Sequence, residues 1–374
     1  MKWRRVRAVT RKEFLHIRRD PRSAVLSVLI PILLLGLFGW ALSLDVENVP
    51  MVVWDQSDTA TSRTLVARFA GSPYFRVSAA RSYRAIEQAI GSEQDDAALV
   101  ISPGLGERSA GPVALQLLVN GADPVRGGLM LNYAQAVVAA YGDELARARV
   151  AALGLAPPAP PFELRTRVWY NPDLETRNAL VPGLIAMILA IIASLLTALT
   201  IAREWETGTM ESLIATPVTG PELILGKLAP YFVIGMIDVT LAIAMGRYVF
   251  HVPLVGSPLL VFGAAIVYMG ATLGFGMLVS VVARSQLLAS QMAFVATLLP
   301  SFLLSGLVFP IASMPMWLQV LSTIFPARYF IAILRGIYLK GLDVSGLAYQ
   351  FVMLAVFAIA ALALAVRAFR RKLA

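Results

Sequence analysis

The chain has 374 residues, of which 58% are hydrophobic and 15% charged, whereas a soluble domain is about half apolar and a quarter charged. This composition excludes an intrinsically disordered protein and argues against a water-soluble enzyme. No cysteine and only two histidines are present, which excludes disulfides and leaves little room for a metal site. We therefore predict a polytopic α-helical membrane protein. A net charge of +9 alone could suggest nucleic acid, but the distribution of the charge argues for contact with a membrane surface and no nucleic acid.

Residues 1–22 combine positive charge with helical periodicity. They hold nine lysines and arginines against two acidic residues. A helical arrangement places a largely apolar set on one face, away from most of the arginines: Trp3, Val6, Thr10, Phe14 and Ile17. We predict a cytoplasmic amphipathic helix along the lipid headgroups. Because the charges directly precede a hydrophobic segment, anionic lipid is a simpler partner than nucleic acid.

The first membrane span is predicted at residues 23–44. A helical span needs roughly 20 apolar residues, and 22 uncharged residues separate Arg22 from Asp45. The competing interpretation is a signal peptide, since Ala41-Leu42-Ser43 loosely resembles a cleavage site. A signal peptide has an apolar core of about 7–15 residues, so the longer run favours an uncleaved anchor.

Residues 45–177 form a long insertion after the first span, with twelve arginines and fifteen acidic residues. Strand-like and helix-like segments alternate in it, which predicts a two-layer extracytoplasmic α/β domain. Strands are predicted at 49–54, 74–77, 97–101 and 113–119, and helices ending near residue 69, at 82–90 and at about 126–152. A proline-rich linker at 156–161 follows. Because the insertion has no histidine, cysteine or glycine-rich phosphate loop, we expect no enzymatic role.

The remaining five spans are predicted within residues 178–366. They lie at 178–202, 228–250, 258–282, 287–309 and 346–366, and prolines after the fifth predict short outer re-entrant helices at 310–342. Six spans place both termini on one side, and the basic residues 1–22 and basic tail 367–374 make that side cytoplasmic. Three cations in the predicted outer loop run against this rule: Arg328, Arg335 and Lys340.

The segment 203–227, between the second and third spans, has an unusual pattern. A short charged helix breaks at Gly208, a second turn restarts with Thr209 as its cap, and Pro217 ends it. This pattern is typical of a rigid coupling element at the membrane surface, which transmits a movement of a soluble partner to two membrane helices. A loop that only connects two spans is the alternative, and composition alone does not separate the two.

Several motifs resemble those of ABC-2 type permeases, the membrane subunits of a class of bacterial ABC exporters. The coupling region of that family resembles EWETGTMESLIATPV and ELILGKLAPY, and its interfacial elbow helix resembles KEFLHIRRDPR. Its junction into span two is similar to WYNPDLETRNALVPGLIA, and its outer re-entrant region to LLSGLVFPIASMPMWLQVLSTIFPARYFIAILRGIYLKG. The large outer domain suggests the multidrug-type efflux branch. The resemblance covers essentially the whole chain.

The resemblance implies partners and a site. Six residues of the coupling loop would engage a nucleotide-binding subunit: Glu204, Glu206, Gly208, Thr209, Met210 and Glu211. No phosphate loop of the G-x-x-x-x-G-K-[ST] type occurs in the sequence, so a separate ATPase would use ATP and Mg²⁺, and this chain would bind no cofactor. A second, identical or similar permease would complete the pore. The branch often works beside a periplasmic adaptor protein, and the location would be the bacterial inner membrane.

A substrate path is expected between spans two and five. Its candidate residues are Met187, Ile191, Leu195, Met292, Phe294 and Leu298, although packing or lipid contact is the favoured role for any one of them. Asp238 lies about 15 Å into the third span, where a carboxyl group is costly unless it is paired or faces a cavity. It is either a substrate-path or cation-coupling residue, or it forms a structural hydrogen bond to Ser194, Thr197 or Thr240.

The function that follows is ATP-driven export of hydrophobic or amphipathic, drug-like compounds. Export of a lipid, a glycan or a cation is the alternative within transport. A membrane-anchored sensor or scaffold, with residues 45–177 as its binding module, is the alternative from another class. A sensor needs one or two anchors, however, and not six spans with an intramembrane carboxylate. No nucleophile–base pair or metal cluster in the sequence supports a membrane enzyme.

Overall fold

The chain folds into two compact units. The computed structural model describes residues 2–41, 48–92, 94–105, 114–122, 124–154, 169–172, 175–283 and 285–373. The helical unit comprises Met1–Ser43 and Arg167–Ala374, and the α/β unit comprises Leu44–Thr166. The α/β unit therefore ends earlier than the predicted insertion at 45–177. The predicted linker at 156–161 and most of the signal-peptide cleavage motif lie outside the described residues.

The helical unit begins with helices α1 (Trp3–Arg19) and α2 (Pro21–Ala41). Helix α1 is amphipathic, and the residues that it buries against the rest of the chain overlap only partly with the predicted lipid-facing set. Val6, Val9 and Glu13 are buried, whereas Trp3 and Phe14 stay exposed. The reason is that α1 packs along another helix of the chain, so a close backbone contact and an ion pair select the buried face.

The α/β unit is built around a four-stranded sheet. Its elements are β1 (Val49–Asp55), α3 (Ala60–Ala70), β2 (Phe75–Ala79), α4 (Tyr83–Gly91), β3 (Ala97–Ile101), β4 (Leu115–Val119) and α5 (Pro124–Ala152). The strand order is β2-β1-β3-β4, with the first three strands parallel and β4 antiparallel to β3.

Helices cover both faces of this sheet, so the predicted two-layer arrangement is wrong. On one face, Met51 and Leu99 pack with residues of α3 and α5. On the other, Val52 and Ala98 pack with Ile86 of α4. The physical reason is that β1 and β3 are apolar at successive positions, so both of their faces must be removed from water.

The rest of the helical unit contains eight helices among the described residues. They are α6 (Thr176–Glu206), α7 (Thr209–Ile214), α8 (Gly220–Tyr248), α9 (Pro258–Val282), α10 (Gln286–Leu303), α11 (Met316–Ser322), α12 (Pro326–Lys340) and α13 (Ala348–Leu373). Helix α6 is the centre of this unit and packs against α2, α8, α9, α10 and α12.

Five helices in the described part of the chain are long and apolar enough to cross a membrane: α6, α8, α9, α10 and the last helix with its preceding turn. Helices α11 and α12 form a pair bent by 87°, as expected of a re-entrant element. The described apolar part of α2, Val25–Ala41, is shorter than these spans. The chain is therefore a polytopic helical membrane protein, with α2 as the remaining segment of the predicted six.

Two predicted boundaries differ from the structure for local reasons. Helix α8 begins at Gly220, ahead of the predicted 228, because Thr219 and Glu222 form a capping box at its start. Helix α10 ends at Leu303, ahead of the predicted 309, because Gly306 adopts a left-handed conformation with φ +84°.

Two of the cations that opposed the charge rule bind backbone carbonyls. Arg335 donates hydrogen bonds to the carbonyls of Ala179, Gly306 and Leu307 at 2.8–3.1 Å. Arg328 donates to the Gln319 carbonyl and the Ser322 hydroxyl. These arginines hold α12 against neighbouring segments, and the carbonyl contacts account for their charge at this place.

Candidate functional site

The loop between α6 and α8 has a defined geometry. Helix α6 ends as the Thr207 hydroxyl donates to the Arg203 carbonyl at 2.8 Å. Gly208 then adopts φ +73°, a left-handed conformation that glycine tolerates best, and α7 begins immediately after it. The predicted break at Gly208 is confirmed, and two residues, Thr207 and Gly208, separate α6 from α7.

The six predicted coupling residues fall into two groups. Glu206, Gly208, Thr209 and Glu211 are exposed, whereas Met210 is 1% exposed and packs into the main apolar core. The sixth, Glu204, is buried. Buried Met210 fixes α7 to the helical unit, and the exposed residues form an acidic surface at the turn.

Glu206 joins two membrane helices. Its Oε2 accepts a hydrogen bond at 2.8 Å from the backbone N–H of Gln286, the first residue of α10. A carboxylate in this position compensates the positive end of the α10 dipole. Movement of the α6–α7 turn would therefore reach α10 through this contact.

Glu204 belongs to a buried charge cluster that the sequence did not reveal. Its carboxylate lies 3.1 Å from Lys227 Nζ and 2.8 Å from Lys12 Nζ, and it accepts a hydrogen bond from the Thr209 hydroxyl. Lys227 Nζ also lies 2.7 Å from Glu13 Oε1. The two lysines and two glutamates, which we call the charge cluster, join α1, α6 and α8.

The charge cluster balances two positive charges with two negative ones. Lys227 is 1% exposed and Glu13 is 4% exposed. Taking such groups out of water is costly, so each is tolerated only with its partner in place. The sequence held one clue, a lone lysine within the apolar segment ELILGKLAPY, which requires a carboxylate partner once it is buried.

Helix α1 meets α8 along a close seam that leads to the charge cluster. The Lys2 backbone N–H donates to Glu222 at 2.5 Å, and the Thr10 hydroxyl donates to the Gly226 carbonyl at 3.2 Å. A Cβ at Gly226 would lie 2.7 Å from the Cβ of Val9, so glycine is required for this approach. The N-terminal helix is therefore docked on the segment that precedes the third predicted span.

Asp238 lies in α8 and is 3% exposed. Its Oδ1 has no hydrogen-bond partner among the described residues. The three predicted partners bond elsewhere: Ser194 to Ile191 and Thr297, Thr197 to Ala193 and Leu273, and Thr240 to Met236. None of these three hydroxyls therefore donates to Asp238 in this structure, and the choice between a structural and a substrate-path role for its carboxylate stays a prediction.

The predicted substrate-path residues do not share one surface. Met187 and Ile191 of α6 are buried inside the helical unit, whereas Met292 and Phe294 of α10 are exposed. Leu195 and Leu298 are partly buried. A path formed by all six would require α6 to become accessible, because its neighbours cover it in this structure.

Comparisons with known proteins agree with this architecture. The family model described as ABC-2 family transporter protein matches residues 22–367. The chain is 32% identical over 344 residues to "Probable multidrug ABC transporter permease YbhS" of Escherichia coli (strain K12), covering 91% of this chain and 90% of that protein. Identity to "Probable multidrug ABC transporter permease YbhR" of the same strain is 32% over 343 residues, 90% of each chain.

A shorter match points the same way. "Inner membrane transport permease YhhJ" of Escherichia coli (strain K12) is 31% identical over 186 residues, 49% of each chain. The full-length matches and the family model together confirm the resemblance that the coupling motifs indicated. The chain belongs to the ABC-2 transporter family.

Proposed function

We propose that this chain is the membrane-spanning permease subunit of an ABC exporter. It moves hydrophobic or amphipathic, drug-like compounds out of the cytoplasm or the inner leaflet. Family membership and the two full-length permease relatives support the permease role. The names of those relatives support a drug-like substrate over a lipid, a glycan or a cation.

The observation that carries the proposal is the geometry of the α6–α7 turn. Glu206 and Glu211 are exposed there, while Met210 is buried and Glu204 forms ion pairs with residues of α1 and α8. Such a turn presents an acidic surface that its buried contacts hold in place. This arrangement suits docking of a nucleotide-binding subunit that carries basic groups. The proposed partner uses ATP and Mg²⁺, and no cofactor is assigned to this chain.

A second permease subunit, identical or similar, is part of the proposal. Helix α10 carries exposed apolar side chains along its length, including Leu287, Met292, Phe294, Val295 and Leu299. Lipid or a second permease subunit would cover them in the membrane. We assign this helix to the pore interface, which brings exposed Met292 and Phe294 onto the substrate path.

The orientation follows from the charges. We place both termini and the α6–α7 turn in the cytoplasm and the α/β unit outside it, where a periplasmic adaptor protein would dock. Anionic lipid would contact the basic N-terminal helix. A sensor or scaffold would need neither the spanning helices around α6 nor a rigid turn tied to α10.

Co-purification tests this assignment. The chain is co-expressed with the ABC ATPase encoded beside it, extracted in a mild detergent and isolated through a tag on the permease. We expect a stable complex that contains both subunits. Failure of any ABC ATPase to associate would contradict the exporter and favour a sensor.

A further inference from the structure

A cavity of about 490 Å³ lies among α1, α2, α6 and α8, at the end of the helical unit that holds the α6–α7 turn. Of the predicted substrate-path residues, only Leu195 lines it. Ligand-binding cavities typically measure about 300–1,000 Å³. The size therefore suits a single-chain or drug-sized molecule.

One half of the cavity wall is apolar. On α6, a single helical face contributes Ile192, Leu195, Leu196 and Leu199, spaced at intervals of three and four residues. Apolar side chains from α2 and α8 complete this half, among them Ile30 and Ile234. A hydrocarbon or aromatic body would be removed from water here.

The other half is charged, and most of its charges are already paired. Lys12, Glu13, Glu204 and Lys227 of the charge cluster line it and neutralise one another. Asp20 also lines it and is engaged by another group. The cluster therefore contributes polarity to this half of the cavity but no net charge.

Arg203 is the exception. Its Nε donates to Gln286 Oε1 at 3.2 Å, and its Nη1 lies 2.8 Å from His16 Nε2. Neither partner is an acid, and no carboxylate in the described part of the chain forms an ion pair with it. A guanidinium in this situation prefers an anion, which it can bind with two parallel hydrogen bonds.

We propose that this cavity binds an anionic amphiphile, with its carboxylate or phosphate head group on Arg203 and its apolar body against the Ile192–Leu199 face of α6. This binding does not depend on the proposed export function. The chemistry fits an anionic membrane lipid or a free single-chain acid, and the two sources are separated below.

The test measures binding to the full-length permease in phosphatidylcholine nanodiscs. The probe is a dansyl-labelled undecanoic acid, whose fluorescence rises in an apolar site, and its methyl ester is the uncharged comparison. We expect saturable binding of the acid and roughly tenfold or more weaker binding of the ester, because a hydrogen-bonded ion contact is lost.

Two variants and two matched controls locate the site. Arg203→Gln should weaken acid binding roughly tenfold or more and leave ester binding unchanged. Leu199→Trp, which fills the apolar half, should weaken both probes. Arg247→Gln changes an exposed arginine on α8 and Leu364→Trp an exposed leucine on α13, both outside the cavity, and each should bind as wild type.

Equal affinity of wild type for acid and ester would overturn the proposal, and this comparison needs no variant to fold. Acid binding that is unchanged in both Arg203→Gln and Leu199→Trp would also overturn it. Phosphatidylglycerol added to the nanodiscs separates the sources. Displacement of the acid supports a site occupied by membrane lipid, and retention supports a site for a free amphiphile.

Discussion

At the scale of single residues, Lys227 forms buried ion pairs whose stability depends on both of its carboxylate partners. It is almost fully buried, and its ammonium group is satisfied by Glu13 and Glu204. Lys12 pairs with Glu204 from a side chain that is half exposed, at 53%. The two lysines therefore share a partner and differ chiefly in burial, so they form a natural comparison.

Lys227→Met should lower the free energy of unfolding by about 3–5 kcal/mol, since it leaves Glu13 charged, buried and unpaired. Lys12→Met should cost no more than about 1 kcal/mol, because an exposed lysine contributes little. Thermal unfolding of the detergent-solubilised protein measures both. The double variant Lys227→Met/Glu13→Gln should recover part of the loss, and Lys227→Met as stable as wild type would refute the role given to the buried ion pairs.

For Asp238, unlike Lys227, we expect no loss of stability when the charged group is removed. Because Oδ1 has no hydrogen-bond partner in the described structure, Asp238→Leu should leave the thermal midpoint unchanged or raised. Thr197→Val is the control, since Thr197 donates to Ala193 and Leu273 and its loss should cost about 1 kcal/mol. A midpoint that falls more for Asp238→Leu than for Thr197→Val would show that the carboxylate is structural.

At the scale of elements, the seam between α1 and α8 determines where the N-terminal helix sits. The seam depends on Gly226, whose missing side chain admits Val9. Helix α1 also supplies Glu13 to the charge cluster and lines the cavity. A displacement of α1 would therefore affect the ion pairs and the cavity together.

Gly226→Ala should destabilise the protein by about 1–3 kcal/mol, because the new methyl group would overlap Val9 and press on the Val6 carbonyl. Gly263→Ala in α9 is the matched control. A Cβ there meets no atom within 4 Å, so we expect an unchanged or higher thermal midpoint. Equal midpoints for the two variants would contradict the close seam.

At the scale of the whole molecule, the sequence predicted what depends on local pattern. The helix at Pro258–Val282 coincides with its prediction because an uncharged run and a proline define it. The break at Gly208 was predictable because one residue type produces it. The charge cluster was not predictable from the sequence, because it joins residues 12, 13, 204 and 227. The proximity of these residues depends on how α1, α6 and α8 pack.

The same limit explains the error in the α/β unit and the protein-facing contacts of α1 that the sequence did not predict. The apolar pattern of β1 showed that it is buried but not how many helices cover it. The periodicity of α1 predicts a lipid-facing set, but it does not show that Gly226 of α8 lies close enough to contact Val9 and the Val6 carbonyl. A sequence pattern within one segment predicts its secondary structure and its burial. It does not predict which other helices or strands pack against that segment.

We propose that the α6–α7 turn transmits movement between an ATPase and the membrane helices. The most direct test is the ATPase rate of the purified permease–ATPase complex in the presence of a hydrophobic cationic dye. It compares wild type with Glu211→Ala, an exposed residue of α7, and with Glu87→Ala, an exposed glutamate of α4. We predict dye-stimulated hydrolysis in wild type and Glu87→Ala and its loss in Glu211→Ala, whereas equal stimulation in all three would contradict the coupling role of the turn.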